Sequence, residues 1–289
     1  SSAASDVYKR QIYDNRLVGR LALTKEGLCA FEYSAEWLGS GFSLSPFELP
    51  LKSGVFIAKP RPFEGGFGVF DDCLPDGWGL LILDRYLQQK NINPRTLTLL
   101  DRLALVGSTG RGALEFRPDH SVVTRQDYVD FEKLALEAEQ ILDSDDYTGE
   151  GIEEFQDRGG SPGGARPKIF IRYDNKEWLV KFRAKRDPHN IGIDEYRYSL
   201  LAKQCGIEMP ETRLFEDKYF GVERFDRTSN GKLHVVSMAG LIGADYRLPS
   251  IDYTHIFQVC AMLTHSVAEL WKVCLLYTSD AADDRISVD

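Results

Sequence analysis

The most constraining feature of the sequence is a glycine-rich turn followed by two short apolar runs. The stretch reads GGSPGGARPKIFIRYDNKEWLVK and covers residues 159–181. Asp174 and Asn175 favour a turn, so residues 169–173 and 178–182 are predicted to form antiparallel strands. A glycine-rich loop can hold phosphate through backbone N–H groups, and Lys181 on the adjacent strand can neutralise its charge. The loop matches neither Gly-x-x-x-x-Gly-Lys-Ser/Thr nor Gly-x-Gly-x-x-Gly, so taken alone it favours a structural turn.

Downstream of Lys181, the predicted elements follow the order of a kinase small lobe. A helix is predicted over residues 193–205, and two strand-like runs cover 212–215 and 219–225. Glu195 lies in the first turn of that helix, where an acidic side chain interacts favourably with the helix dipole. Alternatively, it pairs with Lys181 and holds that lysine on the phosphates. The sequence leaves both interpretations open. The segment GVERFDR follows, where backbone groups of a hinge can hydrogen bond an adenine edge.

The preceding chain is predicted to contain a first unit and a connector. Within residues 12–118, the β-rich runs 18–23 and 29–33 indicate a hairpin. Pro75 and Asp76 precede an apolar periodic run, which predicts a helix to about residue 89. Residues 119–158 are acidic and mainly helical, and residues 159–273 form the second unit. The predicted fold class is therefore α+β.

The two ends of the chain differ from the rest. Residues 1–11 and 274–289 resemble translated sequencing-adapter segments, which contaminate the ends of metagenomic reading frames. A helical apolar pattern over 252–273 stops without a glycine cap or a following proline. We exclude both ends from the fold prediction and expect the genuine chain to end inside a larger lobe, with ordinary frayed termini as the alternative.

Composition restricts the class of protein. With 43% hydrophobic residues in 289, the chain can bury a large core. A net charge of −9 gives no general reason to expect nucleic-acid binding. Five scattered cysteines without a Cys-x-x-Cys pair favour reduced thiols in a cytoplasmic protein, and the histidines show no metal-binding spacing.

Several segments together resemble the HipA-type kinases, the toxins of bacterial type II toxin–antitoxin modules. VERFDR is highly typical of them, while SPGGARPK and LVKF are similar to their phosphate loop and ATP-lysine strand. LPDGWG and GSTGRGALEF resemble their N-terminal module. The resemblance covers roughly residues 16–273. It implies a small mixed N-terminal module, a protein-kinase-like β-rich lobe and the start of a helical lobe.

The resemblance also implies an ATP site in the second unit. Ser161 corresponds to the loop serine that the family autophosphorylates, which is linked to loop ejection and inactivation; the alternative is a solvated turn serine. Lys168 is expected to be a surface lysine that could add a phosphate contact. Glu195 would support Lys181 through an ion pair. For Glu223, the alternative is a salt bridge within its own segment. The implied ATP-binding residues are Ser161, Gly163, Gly164, Lys168, Lys181, Glu223 and Phe225.

ATP and Mg²⁺ are the implied cofactors, but the residues that perform phosphoryl transfer are not found. The family carries a catalytic aspartate in an Asp-x-His-x-Lys-Asn segment and a metal-binding aspartate after it. The 289 residues contain no such segment, and residues 187–190 (DPHN) lie in the wrong place. We therefore expect no catalytic or metal-binding residue and no kinase activity in this chain.

Partners follow from the same resemblance. A helix-turn-helix antitoxin of the HipB type is expected to bind the protein and to link it to operator DNA. The expected substrate is a translation component such as an aminoacyl-tRNA synthetase. An antitoxin-binding fragment without chemistry and a small-molecule kinase on the same lobe design are the alternatives.

Overall fold

The computed structural model describes residues 9–121, 129–144, 147, 149, 151–159, 163–248 and 251–284, with side chains as far as residue 275. The strands are β1 Lys9–Tyr13, β2 Arg16–Leu23, β3 Cys29–Tyr33, β4 Val55–Ile57, β5 Glu115–Arg117, β6 Lys168–Tyr173, β7 Lys176–Lys181, β8 Thr212–Phe215, β9 Tyr219–Glu223, β10 Arg227–Thr228 and β11 Gly231–Lys232. The helices are α1 Ala35–Ser40, α2 Gly68–Asp71, α3 Gly77–Gln89, α4 Leu99–Val106, α5 Phe131–Asp143, α6 Gly151–Gly159, α7 Ile191–Gln204, α8 Met238–Ile242, α9 Tyr253–Thr264 and α10 Val267–Asp284, with a 3-10 turn over Pro94–Thr96. In this described part, no helix combines the length and apolarity needed to cross a membrane.

The first sheet has five antiparallel strands in the order β4-β3-β2-β1-β5. Alternate residues of β2 and β3 face one core, as the period of two along a strand requires; Leu21 and Phe31 lie directly opposite each other and are fully buried. Phe70 of α2 and Leu103 of α4 belong to the same core. The sheet is therefore half-buried against short helices, which matches the predicted mixed unit.

The second sheet has four antiparallel strands in the order β6-β7-β9-β8. The β6–β7 hairpin turns at Asp174 and Asn175, which both have positive φ, as a two-residue hairpin turn requires. One face of the sheet packs against α5 and α6 through a core that includes Ile169, Trp178 and Val180. Since side chains alternate along a strand, the opposite face carries a second set of side chains. Helix α7 packs on this face over β8 and β9, where the Ser199 and Thr212 hydroxyl oxygens are 2.8 Å apart, and the part over β6 and β7 is half-buried; we call it the open face.

Most predicted elements are present, and the α+β class is confirmed. Two predictions were wrong in extent. Strand β9 ends at Glu223, so Phe225 lies beyond it. The pattern over 252–273 forms two helices, because His265 adopts a left-handed backbone conformation (φ 51°) that ends α9. Helix α10 then continues through residue 274.

The predicted boundary after residue 11 differs from the observed pairing. Residues 9–11 belong to β1, which bonds to β2 on one side and β5 on the other, and Gln11 is fully buried. Strand pairing satisfies backbone groups, so a segment without apolar alternation can still complete a sheet. The rest of the excluded N-terminal segment, residues 1–8, lies outside the described residues.

Candidate functional site

The open face of the second sheet carries an apolar strip across three strands. Phe170 of β6 is paired with Leu179 of β7, and Leu179 is paired with Val222 of β9. Directly paired residues of antiparallel strands lie on the same face, so the three side chains form one row. All three are half-buried. A flat apolar surface of this kind suits a planar aromatic ligand, and motif reading did not find it; the strand register was the signal.

Two lysines stand beside this strip. Lys168 and Lys181 are cross-strand partners on the same face, two residues along from Phe170 and Leu179 respectively. The expectation that Lys168 is a surface lysine was wrong, because only 5% of it is exposed and its Nζ donates to the Gly163 carbonyl oxygen at 2.5 Å. Burial, followed by the neighbouring charge of Lys181, lowers the pKa of Lys168 to about 8. Adjacent cations held this way favour a polyanionic ligand.

Lys181 is oriented by a carboxylate. Its Nζ lies 2.8 Å from Oε2 of Glu195, and it also lies 5.3 Å from the ring centroid of Phe220. Helix α7 begins at Ile191, two residues earlier than predicted, so Glu195 falls in its second turn. The helix dipole acts mainly within the first turn. The geometry therefore favours the ion-pair interpretation of Glu195 over the dipole interpretation.

The end of the glycine-rich loop is held by the segment that precedes α3. The Gly164 amide donates to Oδ1 of Asp76, and the Trp78 amide donates to the Gly164 carbonyl oxygen at 3.1 Å. Gly164 has a φ of +92°, a conformation that glycine adopts without strain. Ser161 lies outside the described residues.

The segment after β9 differs from residue to residue in whether its backbone amides are bonded. The Glu223 amide donates to the Glu211 carbonyl oxygen at 2.8 Å, and the Arg224 amide donates to the Glu177 carbonyl oxygen at 2.8 Å. Among the hydrogen bonds of the described residues, none uses the amide of Phe225, whose side chain is 59% exposed. The Phe225 amide is thus available to a ligand edge, whereas the Glu223 amide is not.

Sequence reasoning missed the main role of the VERFDR side chains. Asp226 accepts two hydrogen bonds from the Arg224 guanidinium (2.8 and 2.9 Å), one from Arg227 (2.9 Å) and one from the Gly112 amide (2.8 Å). Both arginines also donate to the Gly110 carbonyl oxygen, at 3.3 and 2.8 Å. The alternative of a local salt bridge is partly correct, since Arg224 pairs with Asp226 while Glu223 pairs with Lys176 at 2.9 Å.

We name this set of contacts the Asp226 joint: Asp226, Arg224 and Arg227 with the backbone of Gly110 and Gly112. It connects the GSTGRG loop of the first unit to the end of β9. Arg224 also lies 4.2 Å from the ring centroid of Phe170, so the joint reaches the apolar strip. Burial would raise the pKa of Asp226, but hydrogen bonds from Arg224 and the charges of both arginines hold it below its ordinary value.

A metal site is not formed by the described residues. They contain no group of three or more His, Cys, Asp or Glu side chains placed to hold an ion. Mg²⁺ prefers oxygen ligands in near-octahedral geometry, usually with one or two carboxylates and substrate phosphates. The only carboxylate shown bonded to the lysine pair in this part of the chain is Glu195, which is paired with Lys181. The residues present therefore do not fit the implied Mg²⁺ ion.

Two protein-family models match the chain. The HipA N-terminal domain matches residues 11–117, and the HipA-like C-terminal domain matches residues 160–284. The first match contains almost all of the first sheet and α1 to α4. The second contains the second sheet, the lysine pair and the three side chains of the Asp226 joint. A comparison with curated proteins gave no match.

Proposed function

This chain belongs to the HipA family of toxin–antitoxin kinases, and from that premise we propose that the open face of its second sheet binds ATP. Lys181 and Lys168 would hold the phosphates, with Glu195 fixing Lys181. The strip of Phe170, Leu179 and Val222 would carry the adenine ring. The backbone at Glu223 and Phe225 would bond the adenine edge, and Gly163 and Gly164 with Ser161 would form the phosphate loop.

One observation carries this proposal: a cross-strand lysine pair adjoins a half-buried apolar strip on the face of the sheet opposite its core, beside α7. A nucleotide has the matching layout, with charge at one end and a flat aromatic base at the other. A purely structural sheet face gains nothing from burying Lys168 beside a second cation, since desolvation disfavours the charged form.

Phosphoryl transfer is a separate step. Positioning and charge neutralisation supply nearly all of its catalysis. ATP would supply the phosphoryl group, and a bound metal ion would neutralise its charge. The 289 residues hold no Asp-x-His-x-Lys-Asn segment. We therefore expect this polypeptide to bind ATP without transferring phosphate. In a protein that carries that segment, the acceptor would be a Ser or Thr of a translation component such as an aminoacyl-tRNA synthetase. A HipB-type helix-turn-helix antitoxin would bind the protein and bring it to operator DNA.

Replacing Lys181 with methionine tests the proposed site. Hydrogen bonds to charged groups contribute about 1.5–3 kcal/mol, so we expect the ATP dissociation constant to rise about 10- to 100-fold, with adenosine binding unchanged. Isothermal titration calorimetry with ATP and adenosine measures both. Lys185→Met is the control, since Lys185 is exposed and pairs with Asp143 away from the strip. Equal ATP affinity in wild type and Lys181→Met would contradict the proposal.

The pH dependence of ATP binding tests Lys168 separately. The pKa of Lys168 is lowered to about 8, so the free protein loses this charge as pH rises through that value. We expect ATP affinity to fall by about tenfold between pH 7 and pH 9, since one charge-assisted hydrogen bond is lost. Lys168→Gln should bind ATP weakly and without that pH dependence. A wild-type affinity that is constant over this range would exclude Lys168 from the phosphate contacts.

A further inference from the structure

The end of the phosphate loop contacts residues of the first unit as well as residues of its own lobe. Asp76 lies immediately before α3 and is separated from Gly164 by 88 positions in the sequence, yet its carboxylate accepts the Gly164 amide proton. Trp78 returns a backbone hydrogen bond to the Gly164 carbonyl oxygen at 3.1 Å. Gly164 is thus bonded through both of its peptide groups to one three-residue segment.

The same segment also contacts the helix that leads into the loop. Trp78 is almost fully buried, and its ring packs edge-on against Phe155 of α6 with centroids 5.0 Å apart. Helix α6 ends at Gly159, directly before the glycine-rich stretch. Residues 76–78 therefore contact both the helix that precedes the loop and the described end of the loop at Gly164.

The contact leaves no room for a side chain at Gly77, and it is also close at Gly163. Gly77 has a φ of +44°, and a Cβ there would lie 2.8 Å from the Gly164 carbonyl carbon. A Cβ on Gly163 would lie within bonding distance of Nη2 of Arg111, another residue of the first unit. From the opposite side, Lys168 bonds the Gly163 carbonyl oxygen. The end of the loop therefore contacts Arg111 and Asp76 of the first unit and Lys168 of the second unit.

We propose that Asp76 is a positioning residue for the phosphate loop, so that the first unit completes the ATP site of the second. This inference rests on the proposed ATP binding. The carboxylate fixes the Gly164 amide before ligand arrives, and the loop is then presented to the lysine pair without an ordering cost at binding. Asp76 contributes through Gly164 and does not touch the nucleotide itself.

The test compares three variants of the 289-residue chain by calorimetry with ATP, ADP and adenosine. Asp76→Ala is expected to weaken ATP and ADP binding about tenfold, because a charge-assisted hydrogen bond that orders the loop is lost. Adenosine binding should not change. Asp76→Asn keeps the shape and an acceptor oxygen, and should weaken ATP binding by only about threefold, since a neutral hydrogen bond is roughly half as strong. Asp84→Ala is the control and should bind all three ligands as wild type does. Asp84 lies on α3, is half-buried and pairs with Arg102 of α4.

The ligand comparison separates positioning from a general structural role. Parallel losses for ATP and adenosine in Asp76→Ala would overturn the inference, as would unchanged or tighter ATP binding. If Asp76→Ala does not fold, the isosteric Asp76→Asn decides: selective weakening of ATP supports the inference, and wild-type affinity overturns it. A wild-type chain that binds adenosine and ATP equally, or neither, would instead refute the proposed ATP site.

Discussion

Asparagine in place of Asp226 is expected to lower the free energy of unfolding by about 3–5 kcal/mol, the cost typical of removing one partner from a buried ion pair. The carboxylate is 4% exposed and neutralises two guanidinium groups, those of Arg224 and Arg227. Without its charge, the two cations are left with longer contacts to the Glu177 carboxylate, at 3.4 and 3.8 Å, and with the carbonyl oxygens of Gly110 and Gly112. Urea or thermal denaturation of the full chain measures the change.

Glu211→Ala is the matched control, because its ion pair with Lys176 is equally short (2.7 Å) but exposed. Exposed pairs contribute about 0–1 kcal/mol, so this variant should unfold almost as wild type does. Equal, small losses in both variants would show that the Asp226 joint does not hold the two sheets together.

The effect of Asp226 should also depend on pH with a definite sign. The pKa of this carboxyl is lowered in the folded protein, so its stabilisation is fully present above the unfolded pKa of about 3.9. It is lost as pH falls through the lower folded value. The gap in stability between wild type and Asp226→Asn should be constant from pH 7 to about pH 5 and should narrow below about pH 4. A gap that stays constant at low pH would contradict the assigned charge state.

Trp78→Ala is expected to destabilise the protein by about 3–5 kcal/mol, the range for truncating a buried aromatic side chain. The indole is 2% exposed and belongs to the core shared by α3, α6 and the second sheet. Denaturation of Trp271→Ala provides the comparison, since Trp271 on α10 is 62% exposed. That variant should change the free energy of unfolding by no more than about 0.5 kcal/mol. A small effect of Trp78→Ala would mean that α6 does not depend on this contact.

Local pattern predicted much of the second unit. Alternation of apolar residues and the Asp174-Asn175 turn predicted the β6–β7 hairpin, and the position of Lys181 followed from it. These features depend on residues that are close in sequence, so a single sequence is enough to predict them. The ion pair between Lys181 and Glu195 was one of two open interpretations. The start of α7 at Ile191 places Glu195 in the second turn, which favours the ion pair.

Contacts between distant segments could not be predicted in the same way. Asp226 meets Gly112 across 114 positions, and Asp76 meets Gly164 across 88. No periodicity connects such segments, and their meeting depends on how the two sheets pack. The burial of Lys168 has the same origin, since it depends on the Gly163 carbonyl that Asp76 and Trp78 help to place.

The chemistry of the Asp226 joint bears on how such proteins can be recombined. In the described part of the chain, the first unit contributes main-chain groups to it, the amide and carbonyl of Gly112 and the carbonyl of Gly110, while its three side chains belong to the VERFDR segment. Peptide groups are the same in every sequence. Chimeras that exchange the N-terminal units of two relatives should therefore keep this connection whenever the GSTGRG backbone is preserved, whatever else differs in the transplanted half.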